Sequence, residues 1–172
     1  MMEPSLSSVL PDIKPEYDFF AFQKTIRDLH KTFADSDIAK KVSDDQVEVM
    51  YSIGHAIFMQ GKLEKALNVF QVILLYRPLD ARIIEACATT LKKMGKFEEA
   101  IPSYAAAMVF GDLENPMPSV HIAECLAALG RAEDSEKILR PLLDSTALDS
   151  AYTDVRRRAE SLLSMLRSSS QQ

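Results

Sequence analysis

Glycine and cysteine are scarce in this chain, and tryptophan is missing altogether. The 172 residues include five glycines, two cysteines and no tryptophan. Folds built from strands need glycine at their hairpin turns, so its scarcity favours helices. Two cysteines cannot form a disulfide framework, which favours a reducing compartment. With 47% apolar residues the chain can still build a core, and we predict an all-α protein.

Long apolar runs and an excess of positive charge are also missing. No apolar stretch reaches the roughly 18–20 residues needed to cross a bilayer. Residues 1–15 have neither the cationic start nor the apolar run of a secretory signal. The formal net charge of −5 would repel a phosphate backbone. We therefore expect a soluble intracellular protein that neither binds nucleic acid nor inserts into a membrane.

The motifs of common catalytic and cofactor sites are missing as well. The sequence has no glycine-rich phosphate loop, no serine-centred elbow and no cysteine and histidine set with zinc spacing. His121 and Cys125 would share a helix face, but no third ligand is evident, so we interpret them as packing residues. The basic run at residues 156–158 is interpreted as a solvated face. We therefore expect no enzyme activity, no cofactor and no metal.

The chain does contain an internal repeat. Three similar segments each begin with a glycine and a basic residue, at Gly61, Gly95 and Gly130. The glycines lie 34 and 35 residues apart, and 34 residues is the period of the tetratricopeptide repeat, a helix–turn–helix unit. Glycine suits the turn between the two helices because it readily adopts a positive φ.

Other positions of the three copies agree with this repeat. If the copies begin at Val47, Ala81 and Pro116, small residues occupy the two positions at which paired helices approach closely. These small residues are Gly54, Ala66, Ala88, Ala100, Ala123 and Ser135. The gap-filling positions are occupied by Phe70, Tyr104 and Leu139. We therefore predict three tandem tetratricopeptide-like repeats over residues 47–147, stacked into a concave solenoid.

Capping residues and prolines predict several helix boundaries. Ser43 and Gln46 have the spacing of a capping box at the start of the first repeat. Asp80 can cap the first helix of the second repeat. Pro102 and Pro141 fall inside predicted helices, and each should kink or shorten its helix because proline removes a backbone N–H.

The segments that flank the repeats have a different character. We predict a mobile tail over residues 1–15, an amphipathic helix over 16–34, a linker over 35–46, a capping helix over 148–168 and a tail over 169–172. The apolar stripe of the amphipathic helix consists of Phe19, Phe22, Ile26, Leu29 and Phe33. A single helix cannot bury such a stripe, so it packs on the first repeat as a cap or forms a homodimer contact, and the two can coexist.

The concave face of the solenoid is the candidate binding site. It is lined by the first helix of each repeat. The candidate groove residues are Glu48, Tyr51, His55 and Phe58 from the first repeat, Arg82, Glu85, Thr89 and Lys92 from the second, and Met117, Val120 and Glu124 from the third. An aromatic wall, a charged middle and an apolar end suit an extended peptide with a few apolar anchors. The alternative is that some of these side chains pack on the amino-terminal helix instead.

Several stretches of the repeats resemble a known family, and residues 123–126 are more specific than the general repeat pattern. The stretches are residues 121–126, whose AECL end follows a proline-rich helix start, and residues 50–53, 61–62, 69–71, 94–95, 100–101 and 103–104. Through them the chain resembles, over residues 45–147, the class II chaperones of bacterial type III secretion, which serve the translocator proteins.

This resemblance implies a function and a set of site residues. A member of that family would be a cofactor-free chaperone of the bacterial cytoplasm that binds two hydrophobic translocator subunits and keeps them competent for export. Their extended segments would lie in the groove, and the chaperone would dimerise through its amino-terminal region. Two groove aromatics of the family match Tyr51 and Tyr104, whereas Leu63 stands where a third aromatic is usual. A general tetratricopeptide scaffold without a secretion client is the alternative.

Overall fold

The structure is a computed structural model of the chain, and it divides into two compact units. The residues it describes are 36–112, 115–144 and 152–169, together with Asp28, Lys31 and Thr32. The first unit is formed by Tyr17–Asp112, and the second by Met1–Glu16 with Leu113–Gln172.

Two helical hairpins make up most of the described first unit. A short 3₁₀ turn at Ala39–Lys41 precedes them. The helices are α1 (Asp44–Met59), α2 (Leu63–Tyr76), α3 (Ala81–Lys93) and α4 (Phe97–Phe110). α1 packs on α2, α2 on α3 and α3 on α4, so sequence neighbours within this unit are also spatial neighbours, as in a tetratricopeptide array.

The described part of the second unit contains one further hairpin and a final helix. These helices are α5 (Met117–Ala128), α6 (Ala132–Asp144) and α7 (Thr153–Ser169). α5 packs on α6, and α7 contacts both. No described residue of the chain lies in a strand. The predicted all-α, tetratricopeptide-like fold is therefore confirmed.

The turn inside each hairpin has the same backbone geometry. Gly61, Gly95 and Gly130 have φ values of 75°, 77° and 75°. In each copy the N–H of the following residue donates to a carbonyl of the preceding helix five residues earlier, at 2.9–3.2 Å. A Cβ on any of these glycines would meet no atom within 4 Å. Glycine is therefore favoured here by the left-handed backbone conformation and not by lack of space.

A different constraint acts where α1 crosses α2. A Cβ built on Gly54 would lie 2.7 Å from Cε1 of the buried Phe70 ring. The equivalent Ala88 and Ala123 are fully buried. In the second unit, the hydroxyl of Ser135 donates to the carbonyl of Ala123 at 2.8 Å. The small residues of the repeat thus allow the two helices of each hairpin to approach closely.

The predicted caps are confirmed. Ser43 and Gln46 form a reciprocal capping box, in which each backbone N–H donates to the other side chain at 2.9 and 3.3 Å. The Asp80 carboxylate accepts from two backbone N–H groups at the start of α3. Pro102 and Pro141 lie inside α4 and α6. α4 is 14 residues long, the same length as α2, so Pro102 does not shorten its helix.

The segment in front of α1 is fastened to the end of α2 by Arg77. Its guanidinium donates to the carbonyls of Ala39 and Val42 and to the Asp44 carboxylate, each at 2.8 Å. The five residues of the predicted apolar stripe lie outside the described residues. Of the same segment, Asp28 and Thr32 are helical and exposed, and the Thr32 hydroxyl donates to the Asp28 carbonyl.

Candidate peptide-binding site

One face of α1 presents a continuous aromatic strip, formed by Tyr51, His55 and Phe58. The ring centroids of neighbouring residues in this strip are 6.3 Å apart. Tyr51 also contacts the buried Phe70 ring, at a centroid distance of 5.8 Å. Tyr51 and Phe58 are half-buried and His55 is exposed. The spacing of three and four residues places all three rings on one side of the helix, where they offer an apolar surface to a ligand.

An ion pair between α1 and α3 lies at one end of the aromatic strip. Arg82 donates two hydrogen bonds to the Glu48 carboxylate, at 2.9 and 2.5 Å. The hydrogen bond from Arg82 lowers the pKa of Glu48, and the same bond raises the pKa of Arg82. The Arg82 Cζ also lies 4.8 Å from the centroid of the Tyr51 ring. Arg82 therefore joins the two helices and places a cation over the first aromatic residue of the strip.

A second cation lies at the other end of the strip. The Lys93 Nζ, in the last turn of α3, is 4.8 Å from the centroid of the Phe58 ring. Lys93 was not among the predicted groove residues. The sequence did not single it out because it is separated from Phe58 by the whole of α2, and only the packing of α3 beside α1 brings the two together.

Two predicted groove residues, Tyr104 and Val120, are buried and not exposed on the surface of the described residues. Tyr104 lies on α4, and its hydroxyl is 3.0 Å from the Thr89 hydroxyl of α3. The Lys92 Nζ lies 5.7 Å from the Tyr104 ring centroid. Tyr104 therefore packs beneath α3, where it contacts Thr89 and Lys92.

The remaining predicted groove residues keep some exposed surface. Glu48 and Arg82 are exposed, although their charged groups pair with one another. The half-buried ones are Leu63, Glu85, Thr89, Lys92, Met117 and Glu124. Met117 and Glu124 belong to the second unit, where they lie on α5.

In the second unit, Glu124 is held by α7. Its carboxylate accepts two hydrogen bonds from Arg158, one of them at 3.0 Å. The Nδ1 atom of His121 lies 3.1 Å from the same carboxylate. Sequence reasoning missed Arg158 by treating residues 156–158 as one solvated run. The signal that could have found it is spacing, because Glu48–Arg82 and Glu124–Arg158 are both separated by 34 residues, one repeat length.

The described residues contain no candidate metal cluster, and both of their cysteines are buried. Among them no group of three or more histidine, cysteine, aspartate or glutamate side chains could hold a metal ion. Cys87 and Cys125 are buried, and burial raises the pKa of the Cys87 thiol to about 12. A thiol with such a pKa is protonated at neutral pH and unreactive. No helix in the described ranges is long and apolar enough to span a bilayer.

Comparison with known proteins gives one consistent group of relatives, although no family model matches the sequence. The low calcium response locus protein H of Yersinia pestis is 27% identical over 127 residues, which cover 74% of this chain and 75% of that protein. The Yersinia enterocolitica type III secretion chaperone SycD, solved with a peptide of the translocator YopD, is 27% identical with a TM-score of 0.66. That match covers 74% of this chain and 97% of SycD.

A second solved structure is PcrH, a protein of Pseudomonas aeruginosa, in complex with the chaperone binding region of PopD. It is 25% identical to this chain, with a TM-score of 0.67, and the match covers 75% of this chain and 96% of PcrH. The tetratricopeptide-like hairpins, the aromatic strip and these relatives agree with one another. The chain is similar in sequence and in fold to the translocator chaperones of type III secretion.

Proposed function

We propose that this protein is a type III secretion chaperone that binds hydrophobic translocator subunits through an extended segment laid along its aromatic strip. The observation on which this rests most is the strip itself, in which Tyr51 and Phe58 are half-buried and form an apolar surface between two cations. The complexes of SycD with a YopD peptide and of PcrH with regions of PopD and PopB support the proposal.

The physical task of such a chaperone is to cover apolar surface. A protein that inserts into a membrane has long apolar segments, and in water these segments associate with one another. Binding lowers the concentration of free client and thereby slows its self-association by mass action. The chaperone uses no ATP and catalyses no reaction, and release at the secretion apparatus occurs by competition for the bound segment.

The remaining features of this proposal follow from the same role. The chaperone acts in the bacterial cytoplasm without a cofactor, since its clients must be covered before export. It serves two translocator subunits, does not insert into membranes and does not bind nucleic acid. It forms a homodimer through the predicted helix at residues 16–34. A Yersinia enterocolitica SycD structure in an alternative dimer form supports the dimer.

Truncation of Tyr51 tests the proposed function. We expect Tyr51→Ala to weaken the complex with a translocator segment by about 1–3 kcal/mol, because it removes one of the two aromatic anchors of the strip. Fluorescence anisotropy with labelled segments of translocator proteins measures the affinity. Co-expression followed by fractionation reports whether those translocators stay in the soluble fraction.

A matched control is Leu75→Ala. Leu75 is an apolar residue of α2 that is 68% exposed, and we expect no change in affinity when it is truncated. If the wild-type protein binds no translocator segment and captures only folded, soluble proteins, the general scaffold function replaces this proposal.

A further inference from the structure

The two cations at the ends of the aromatic strip differ in whether an acidic side chain neutralises their charge. Arg82, over Tyr51, is neutralised by its bidentate pair with Glu48. Lys93, over Phe58, is exposed and forms no ion pair with any residue in the described part of the chain. The Phe58 end of the strip therefore has a positive charge that the described residues do not neutralise.

The acidic residue of α3 closest in sequence cannot compensate Lys93. Glu85 lies eight residues earlier on the same helix, which at 1.5 Å per residue is about 12 Å along the helix axis. That is well beyond the range of an ion pair. Lys92 adds a second positive charge on the same turn, directed toward Tyr104. Basic residues are favoured in this last turn because they interact with the negative end of the helix dipole. The dipole does not explain why Lys93 lies over the Phe58 ring of α1.

The position of Lys93 matters because its charge adjoins an apolar contact site. A client side chain that packs on the exposed edge of Phe58 would lie within reach of the Lys93 ammonium, which is 4.8 Å from the ring centroid. In an extended peptide, side chains on the same face recur at every second residue, about 7 Å apart. A carboxylate two residues from the anchor could thus approach Nζ while the anchor stays on the ring.

We propose that Lys93 is a specificity residue that selects an aspartate or glutamate two positions from the apolar anchor bound at Phe58. This inference rests on the proposed function, since it concerns the segment bound at the aromatic strip. It assigns a chemical feature to the client, an acidic side chain beside an apolar anchor, on the basis of charge complementarity at one end of the surface.

Peptide binding with a charge scan tests this inference. The probe is a fluorescein-labelled extended peptide with leucine and proline anchors, into which a single glutamate or a single lysine is placed at each position in turn. At one position we expect the glutamate peptide to bind about threefold to tenfold more tightly than the lysine peptide, a difference typical of one partly exposed charge pair. Lys93→Glu should reverse the preference at that position only, and Lys93→Gln should abolish it.

Lys65→Glu is the matched control. Lys65 is an exposed lysine of α2 in the same unit and is not one of the cations that lie over the rings of the strip. Its replacement changes the net charge by the same amount, and the preference should persist. A preference that is unchanged in both Lys93 variants, or a wild-type protein that binds the glutamate and lysine peptides equally at every position, would overturn the role of Lys93. Failure of the wild-type protein to bind any of these peptides or any translocator segment would instead overturn the proposed function.

Discussion

At the scale of single residues, glycines of the repeat serve two separate physical purposes. Gly61 has a φ of 75° and open space around its Cα, so it is required by the backbone conformation. Gly54 lies inside α1, where a side chain would collide with Phe70, so it is required by the distance between two helices. The sequence shows both as small residues at repeat positions, and only the structure separates the two causes.

Substitution of Gly54 tests the close approach of α1 and α2. We expect Gly54→Val to lower the free energy of unfolding by about 1–3 kcal/mol, because the added methyl groups overpack the contact with the Phe70 ring. Urea titration followed by circular dichroism measures the change. Ser52→Val places the same β-branched residue at an exposed site of α1 and controls for helix propensity. Equal losses in the two variants would contradict the steric explanation.

At the scale of helices, ion pairs one repeat length apart connect elements that do not follow one another in the chain. Glu48–Arg82 joins α1 to α3 in the first unit. Glu124–Arg158 joins α5 to α7 in the second. The final helix buries an apolar face that contains Ala159 and Leu163. Burial of an apolar face does not by itself fix the rotation of α7 about its axis. The hydrogen bonds from Arg158 to Glu124 are directional, and they fix this rotation.

Removal of Arg158 tests this role. We expect Arg158→Ala to lower the free energy of unfolding by about 1 kcal/mol, because it leaves the mostly buried Glu124 carboxylate without its strongest donor. Hydrogen exchange of the α7 amides should become faster. Arg157→Ala is the control, since the Arg157 side chain is 72% exposed and pairs with Asp154 on its own helix. If Arg157→Ala speeds exchange in α7 as much as Arg158→Ala, the ion pair with Glu124 does not anchor this helix.

At the scale of the whole molecule, the distribution of apolar surface indicates association. Val49 and Ile53 of α1 and Val72 of α2 are 59%, 50% and 43% exposed. Apolar side chains exposed together in this way are normally covered by association with another protein. The sequence adds the apolar stripe of residues 16–34, which also needs a partner. These two apolar features belong to the same unit, Tyr17–Asp112. We therefore expect the amino-terminal region to take part in the homodimer.

Deletion of residues 1–35 tests this expectation. The shortened protein should have about half the mass of the full chain in light scattering, since removing the stripe takes away the main apolar contact of the dimer. Deletion of residues 1–15 alone retains the stripe and serves as the control, with an unchanged mass. An unchanged mass after the longer deletion would place the dimer contact elsewhere.

The sequence by itself determined the features that depend on local interactions. The turn glycines, the capping box at Ser43 and the cap at Asp80 each act within a few residues of the chain, and the repeat length predicted the helical hairpins. The aromatic strip was also predictable, because Tyr51 and Phe58 share one helix.

Only the tertiary structure decided the contacts between helices. It buried Tyr104 beneath Thr89, placed Lys93 over Phe58 and paired Arg158 with Glu124. Each of these contacts depends on the rotation of one helix relative to another, and a rotation of a few tens of degrees would exchange buried and exposed side chains. A residue pattern identifies the faces of a helix, but the packing of its neighbours decides which face is covered.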